Sequence, residues 1–241
     1  MLSAAIAYLA LSQESPQTID KVKAVLQKHP WYTNQWQAKV QDIPIADDSL
    51  VLFMQAVRWA DEIRTNDKQQ HRALWHYINW PFKPVGQPAS VQTRQPESVN
   101  ILTALAENQR IVLNENEAEQ KAIALAWLFH LLGDIHQPLH MAQLFTVEYP
   151  QGDRGGNEIC VRVTQAGQPM NLRKFWDEVI TSSQNLNLTR LHNEATTLRN
   201  RQEFQRSQLT ELASTSFEAW AKESFEIATK IASLRDNFAK L

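Results

Sequence analysis

The sequence predicts a mostly α-helical protein: a single-domain helical bundle with one small inserted β-hairpin. Three observations carry that expectation. Apolar residues recur at three- and four-residue spacing along most of the chain, as in "TIDKVKAVL". The periodic runs are punctuated by helix signals, such as Ser15-Pro16 before one run and Pro30 after it. Alternating patterning stands out in one stretch, between Gly155 and Asp177. There Ile159, Val161 and Val163 are separated by polar or smaller residues and Gly167 offers the turn.

Each element follows from its own residues. "MLSAAIAYLALSQ" is apolar but has no Lys or Arg ahead of the apolar run, so it reads as a first core helix rather than a signal peptide. "SPQTIDKVKAVLQKHP" follows, with Ser15 as N-cap, Pro16 in the first helical position and Ile19, Val22, Val25 and Leu26 on one face. "DDSLVLFMQAVRWADEIR" starts at Asp47 or Asp48 and is long; "SVNILTALAENQRIVL" is shorter. "NEAEQKAIALAWLFHLLGD" begins with acidic residues, which favour a helix N-terminus, and then becomes apolar on nearly every face. That pattern predicts a buried post in the middle of the bundle. "NLTRLHNEATTLRNRQEF" and "TELASTSFEAWAKESFEIATKIASLRDNF" complete the helices. "WPFKPVGQPASVQTRQP" reads as a long surface loop. With no repeat, low-complexity tract or linker, residues 1–241 are read as one domain.

Composition narrows the function. The chain has 241 residues, 43% of them hydrophobic, enough for a substantial core. A formal net charge of -2 disfavours gripping duplex phosphates along a wide face, while leaving room for a local phosphate-ester pocket. Cys160 is the only cysteine, so a disulfide within the chain and a zinc site of several thiolates are excluded. A metal here takes His, Asp, Glu or backbone ligands, as catalytic zinc does. No segment reaches the uncharged length of a membrane span.

The chemistry concentrates in "HLLGDIHQPLH" at the end of the greasiest segment. His130 and Asp134 are four residues apart, so a helix places them on one face a turn apart. Gly133 permits close approach of another segment, and Pro138 turns the backbone before His140. Alone, this spacing more often marks a hydrogen-bonded core pair than a metal site. Asp61 in "RWADEIR", His76 in "LWHYINW" and Asp177 in "KFWDE" sit in similar settings. Buried polar groups need partners, and convergence on a metal satisfies several at once.

These stretches, in order "RWADEIR", "WHYIN", "HLLGDIHQPLH", "GDRGGN", "NLRKFWD" and "WAKES", resemble the zinc-dependent S-one/P-one nuclease family, related to zinc phospholipase C. The likeness runs from about Ile6 to Ile231. It implies a mostly helical enzyme, exported to the periplasm or secreted. Such an enzyme hydrolyses phosphodiester bonds in single-stranded DNA or RNA, in many members also removes 3'-phosphates from nucleotides, and holds three zinc ions. It assigns Asp61, His76, His130 and Asp134 to the first zinc. It assigns His140 and Asp177 to the second, where Arg173 replaces a histidine and offers no lone pair to a metal. Ser3 falls at a histidine position of the third, with Asp134 as the bridge, so that site is expected to be missing. The final C-terminal helix reads as shortened.

The resemblance further implies that Arg64 faces phosphate and that Tyr77 stacks on a base. Asn79 stands where an aspartate reads the base edge. Asp153 and Asn157 line the cleft. Separately from the resemblance, Arg173 is expected to contact substrate phosphate where the second zinc would sit. The catalytic set is then Asp61, Arg64 and Asp134. His136 is expected to be structural, and His71 and His192 to lie on the surface. The implied partners are single-stranded nucleic acid or nucleotides; no protein partner is evident and a monomer is expected. Two alternatives stand beside the nuclease: a catalytically silent relative with one structural zinc, and a phospholipase C-like hydrolase.

Overall fold

The structure is a computed structural model that describes residues 2–41, 47–162, 167–178, 188–209, 212 and 214–238. Its described elements are mostly α-helical, with two small two-stranded sheets. Its contacts divide the chain into two compact units. One comprises Met1–Arg72, Leu105–Gly133 and Gln184–Ser214; the other comprises Ala73–Ala104, Asp134–Ser183 and Thr215–Leu241.

In the first unit, α1 (Leu2–Glu14) lies against α4 (Asp48–Asn66) and α9 (Leu188–Asn200). The apolar start of the chain is thus a helix with Ala4, Ala5 and Tyr8 buried. Tyr8 donates to the Asp47 carboxylate, and the Tyr8 ring packs edge-on to Phe53 at 5.3 Å. Asp47 also caps α4, accepting from Ser49 N at 3.0 Å. Helix α2 (Pro16–Leu26) has Pro16 at its start as expected. Ser15 does not cap it through its side chain, because the hydroxyl bonds Thr18 instead. A single π-helical turn, Tyr32–Trp36, follows Pro30 and leads into α3 (Gln37–Gln41). It seats Trp36 on the buried His29 ring at 4.3 Å, and Trp59 meets the same imidazole edge-on at 4.7 Å.

The buried post is not the helix the apolar run predicted. Every residue of α4 from Ser49 to Val57 is buried. In α6 (Ala118–Asp134), Leu128 and Phe129 are half-buried and Leu132 is 37% exposed. The reason lies in side-chain size. Three of the six buried residues of α6 are alanines, Ala122, Ala124 and Ala126, beside Trp127, His130 and Leu131, while Ile123, Leu125, Leu128 and Phe129 are only partly buried. Apolarity all round measures composition, not burial.

The second unit contains the expected hairpin. β3 (Cys160–Val161) pairs antiparallel with β4 (Met170–Asn171), in register Cys160↔Asn171. Val163 lies outside the described residues. A second sheet corrects the loop reading of "WPF": β1 (Trp80–Phe82) pairs in parallel with β2 (Ala142–Leu144). The rest of that loop is pinned by Lys83, whose Nζ donates to Pro88 O at 3.0 Å and Val91 O at 2.9 Å. Helix α5 (Ile101–Asn114) is capped by Asn100, which accepts from Leu102 N at 3.0 Å. Asp134 ends α6, and Pro138 opens the short helix α7 (Pro138–Met141) with Gln137 as its N-cap. Helix α10 (Phe217–Phe238) packs on α7 and β2, burying Leu139, Ala142 and Ala228 against Leu172, Trp176 and Phe225. No helix among the described residues is long and apolar enough to cross a membrane.

Candidate metal centre

In the first unit, His130 stands beside Asp61. Asp61 and Arg64 lie in the last turns of α4. His130 is buried, and its Nδ1 lies 2.8 Å from the carbonyl of Val57, one turn before Asp61. A carbonyl accepts only, so Nδ1 carries the proton and the neutral ring keeps its lone pair on Nε2. That nitrogen faces the Asp61 carboxylate at 3.9 Å. The gap is too long for a direct hydrogen bond. It is a few tenths of an ångström wider than the roughly 3.3–3.6 Å separating two donors held about 2.0–2.2 Å from one tetrahedral zinc. Arg64 reaches back to Asp61 only loosely, at 3.9 Å, and both side chains are 64% exposed.

The second unit holds a connected row of its own. His76 closes the 3-10 turn Ala73–His76, and its Nδ1 lies 2.9 Å from the Asp134 carboxylate. His140 Nδ1 donates to the carbonyl of His76 at 2.7 Å and stands 3.7 Å from Asp134. Its Nε2 faces the Asp177 carboxylate at 3.8 Å. Main-chain bonds from Ile78 N (3.0 Å) and Asn79 N (3.4 Å) to His140 O hold the two segments together. Asp177 also accepts from Gln137 Nε2 at 2.8 Å. Burial pushes the Asp177 carboxyl up, but its His140 and Gln137 contacts and the charges of His140 and Arg173 outweigh that and hold it below the usual range.

Each unit thus sets an imidazole beside a carboxylate, His130 with Asp61 in one and His76 with Asp134 in the other, and side chains of both kinds are ordinary zinc ligands. The set assigned to a second zinc does not fit. Arg173, on α8 (Leu172–Glu178), donates from Nη1 to Leu139 O at 3.2 Å and has no lone pair for a metal.

The other expected residues fall as follows. Tyr77 is half-buried, and its carbonyl accepts from Ile101 N at 3.1 Å. Asn79 has φ 58°, a left-handed conformation that asparagine tolerates. Its Oδ1 is buried without a hydrogen-bond partner among the described residues. Asp153 is buried and organises a loop, accepting from Leu144 N (2.8 Å), Gly155 N (3.1 Å) and Gly156 N (2.9 Å). Burial raises its carboxyl, and those N–H bonds only partly oppose the rise. Asn157 is exposed and ties Nδ2 to Arg154 O at 2.8 Å. His136 packs on Trp220 at 5.4 Å. His71 and His192, expected on the surface, are half-buried. In the first unit, a Cβ at Gly133 would meet Ser3 Oγ at 3.7 Å, so Ser3 is the neighbour that Gly133 accommodates.

Gln137 was not foreseen. Its Oε1 caps α7 at Leu139 N while its Nε2 holds Asp177. Pro138 was the available signal: a proline at a helix start makes the preceding residue the cap.

The chain is similar in sequence to known nucleases. A stretch of 134 residues, 55% of the chain, is 29% identical to Nuclease S1 of Aspergillus oryzae, covering 43% of that protein. Endonuclease 4 of Arabidopsis thaliana is 39% identical over 138 residues, 52% of this chain and 42% of its own length. Endonuclease 3 of the same plant is 30% identical over 133 residues, 52% of the chain and 41% of its own length. The matched stretches thus span under half the length of these relatives. The sequence profile described as S1/P1 Nuclease matches residues 4–240, and the chain belongs to that family.

Proposed function

We propose that this chain is a zinc-dependent nuclease that hydrolyses phosphodiester bonds of single-stranded DNA or RNA, with accompanying 3'-nucleotidase activity. Asp61, His76, His130 and Asp134 would hold the zinc, and residues 1–241 would act as one nuclease domain. The observation that carries this reading is the pairing of imidazole with carboxylate in both units, His130 with Asp61 and His76 with Asp134. Helix α6 carries His130 and Asp134 a single turn apart, which supports a shared ion. The names of Nuclease S1 and the plant endonucleases point the same way. Family membership also supports export from the cytoplasm.

Zinc, if held by these residues, would supply Lewis acidity and would make water a usable nucleophile near neutral pH. The chain's own residues supply the rest. Val57 O fixes His130 in one tautomer, so its lone pair is committed before any ligand arrives. Arg64, exposed and only loosely paired with Asp61, is able to turn its fork to phosphate oxygens. The partly open Tyr77 ring offers a stacking surface to any base, a contact that tolerates sequence. Asn79 carries an uncharged amide, its Oδ1 buried, at the position assigned to base-edge recognition, so it brings no charge to that position.

The test is hydrolysis of a single-stranded oligonucleotide by the zinc-loaded protein, compared with its Asp134→Ala variant. Cleavage that zinc supports and the variant lacks is expected; no turnover at saturating zinc would remove the assignment. A second reading, a silent relative with one structural zinc, is favoured by Arg173 at an expected histidine position. Tight zinc binding without turnover on any oligonucleotide or 3'-nucleotide selects it.

A further inference from the structure

Arg173 is built into the second unit rather than draped over it. Its Nη1 donates to Leu139 O at 3.2 Å, immediately before His140. The loop 152–157 is shaped around that contact. Gly155 has φ +61°, and a Cβ there would lie 2.5 Å from Leu139 O and 2.9 Å from Arg173 Nη1. A Cβ at Gly156, φ +82°, would lie 2.9 Å from Leu139 Cδ1 and 3.3 Å from Arg173 N. The Arg173 amide also points at Gly156 O, at 3.4 Å. Gly155 is therefore required because the Arg173 guanidinium and the Leu139 carbonyl occupy the space a side chain would fill, and Gly156 because of its positive φ and the Leu139 side chain and Arg173 main chain beside it. Along α8, Arg173 and Asp177 are four residues apart and share a face, so a fixed cation accompanies the His140–Asp177 pair.

We infer that the Arg173 guanidinium takes the place of a second metal: it holds a phosphoryl group of the substrate beside His140 and Asp177, and those two residues bind no zinc. The inference rests on the zinc-nuclease reading above and assigns Arg173 as a phosphate-binding residue within it. Charge and geometry both favour it. Guanidinium is always protonated, matches phosphate oxygens two at a time, and repels a divalent cation placed beside it. It neutralises phosphoryl charge but acidifies no water, so this position keeps anion binding and gives up Lewis acidity. Arg173 is half-buried and Asp177 exposed, so an anion reaches the pair from solvent.

The test combines metal counting with phosphate binding on the full chain. Zinc per chain, measured after dialysis, is expected to be the same in the wild type and in Asp177→Asn, and to rise by one in Arg173→His. Inorganic phosphate, titrated calorimetrically, is expected to bind about tenfold or more weakly to Arg173→Ala, the loss typical of a charged hydrogen bond. A wild type that loses one zinc on Asp177→Asn overturns the inference. So does a phosphate affinity that Arg173→Ala leaves unchanged. Should Arg173→His fail to fold, the Asp177→Asn count and the phosphate titration still decide. A wild type without any zinc would sink the nuclease reading instead, while the phosphate titration would continue to judge Arg173.

Discussion

His130 and His140 are held by the same device in different parts of the molecule. Each donates Nδ1–H to a main-chain carbonyl, of Val57 or of His76, and each turns Nε2 to a carboxylate, at 3.9 Å from Asp61 or 3.8 Å from Asp177. What differs is the neighbouring arginine. Arg64 beside Asp61 is exposed and loosely paired; Arg173, one turn before Asp177, is anchored on Leu139 O beneath two glycines. Orienting an imidazole is therefore not enough to define a metal site. A mobile cation leaves room for an ion, whereas a fixed one occupies its electrostatic place.

The largest expected effect tests the metal side of this contrast. His130→Ala should strip the zinc and lower oligonucleotide hydrolysis about a thousandfold or more, as expected when charge stabilisation in a site is removed. His140→Ala should leave the zinc content unchanged. Equal zinc loss in the two variants, read by metal analysis after dialysis, would make the sites alike and end the contrast.

Next in size is a pair of glycines. Gly155→Ala combines a left-handed φ of +61° with a contact of 2.5 Å to a backbone carbonyl, which cannot swing aside as a side-chain end can. A loss of about 2–4 kcal/mol is expected, the sum of backbone strain and displacement. Gly133 sits near the end of α6 with an ordinary contact of 3.7 Å to Ser3 Oγ. Gly133→Ala should be neutral or stabilise by up to about 1 kcal/mol, because alanine favours a helix. Urea denaturation of both variants measures the difference; equal losses would show that the loop is not moulded on Arg173.

A third histidine separates folding from metal loss in acid. His29 lies between Trp36 and Trp59, and burial pushes its imidazole down from 6.5 to about 3. Between those values the unfolded chain binds a proton that the folded chain refuses. Its contribution is therefore intact above about pH 6.5, falls as pH drops, and levels off below about 3. At pH 5 the loss is about 2 kcal/mol. His29→Phe should flatten that slope in chemical denaturation at successive pH values, leaving acid release of zinc by protonated ligands as a separate event. An unchanged slope in His29→Phe would assign the acid sensitivity elsewhere.

Local signals were legible in the sequence, and signals that depend on distant partners were not. The Asp47 cap, Pro16 at a helix start and the hairpin around Gly167 follow from adjacent residues, and the structure contains them. The donors in "HLLGDIHQPLH" were visible because residue types that bind metal are rare at the end of an apolar run. The β1–β2 pair joins Trp80 to Ala142, which no local pattern encodes, and its three-residue strands are too short to alternate. The greasier of two apolar helices turned out to be the less buried, because half of its buried residues are alanines and Ile123, Leu125 and Leu128 are only partly covered. Arg173 could be read as a departure from the expected histidine, yet the carbonyl and glycines that fix it emerge only from the folded loop.

The smallest effect compares the two arginines directly. Arg64 is mostly exposed, and its ion pair with Asp61 is long, so an exposed pair of this kind adds little to stability. Arg64→Ala should leave the denaturation midpoint unchanged while weakening substrate use about tenfold, the loss of a single charged contact to phosphate. Arg173→Ala should lose both, because it removes the donor on Leu139 O and opens the space beside Gly155 as well as the phosphate contact. Arg64→Lys should recover part of the activity, since a point charge still attracts phosphate; Arg173→Lys should not, since a lysine lacks the planar fork that bonds the Leu139 carbonyl with one nitrogen while offering others to phosphate. Parallel behaviour of the two lysine variants, in rate and in stability, would show that both arginines are mobile surface cations and that the contrast between the two histidine sites has another cause.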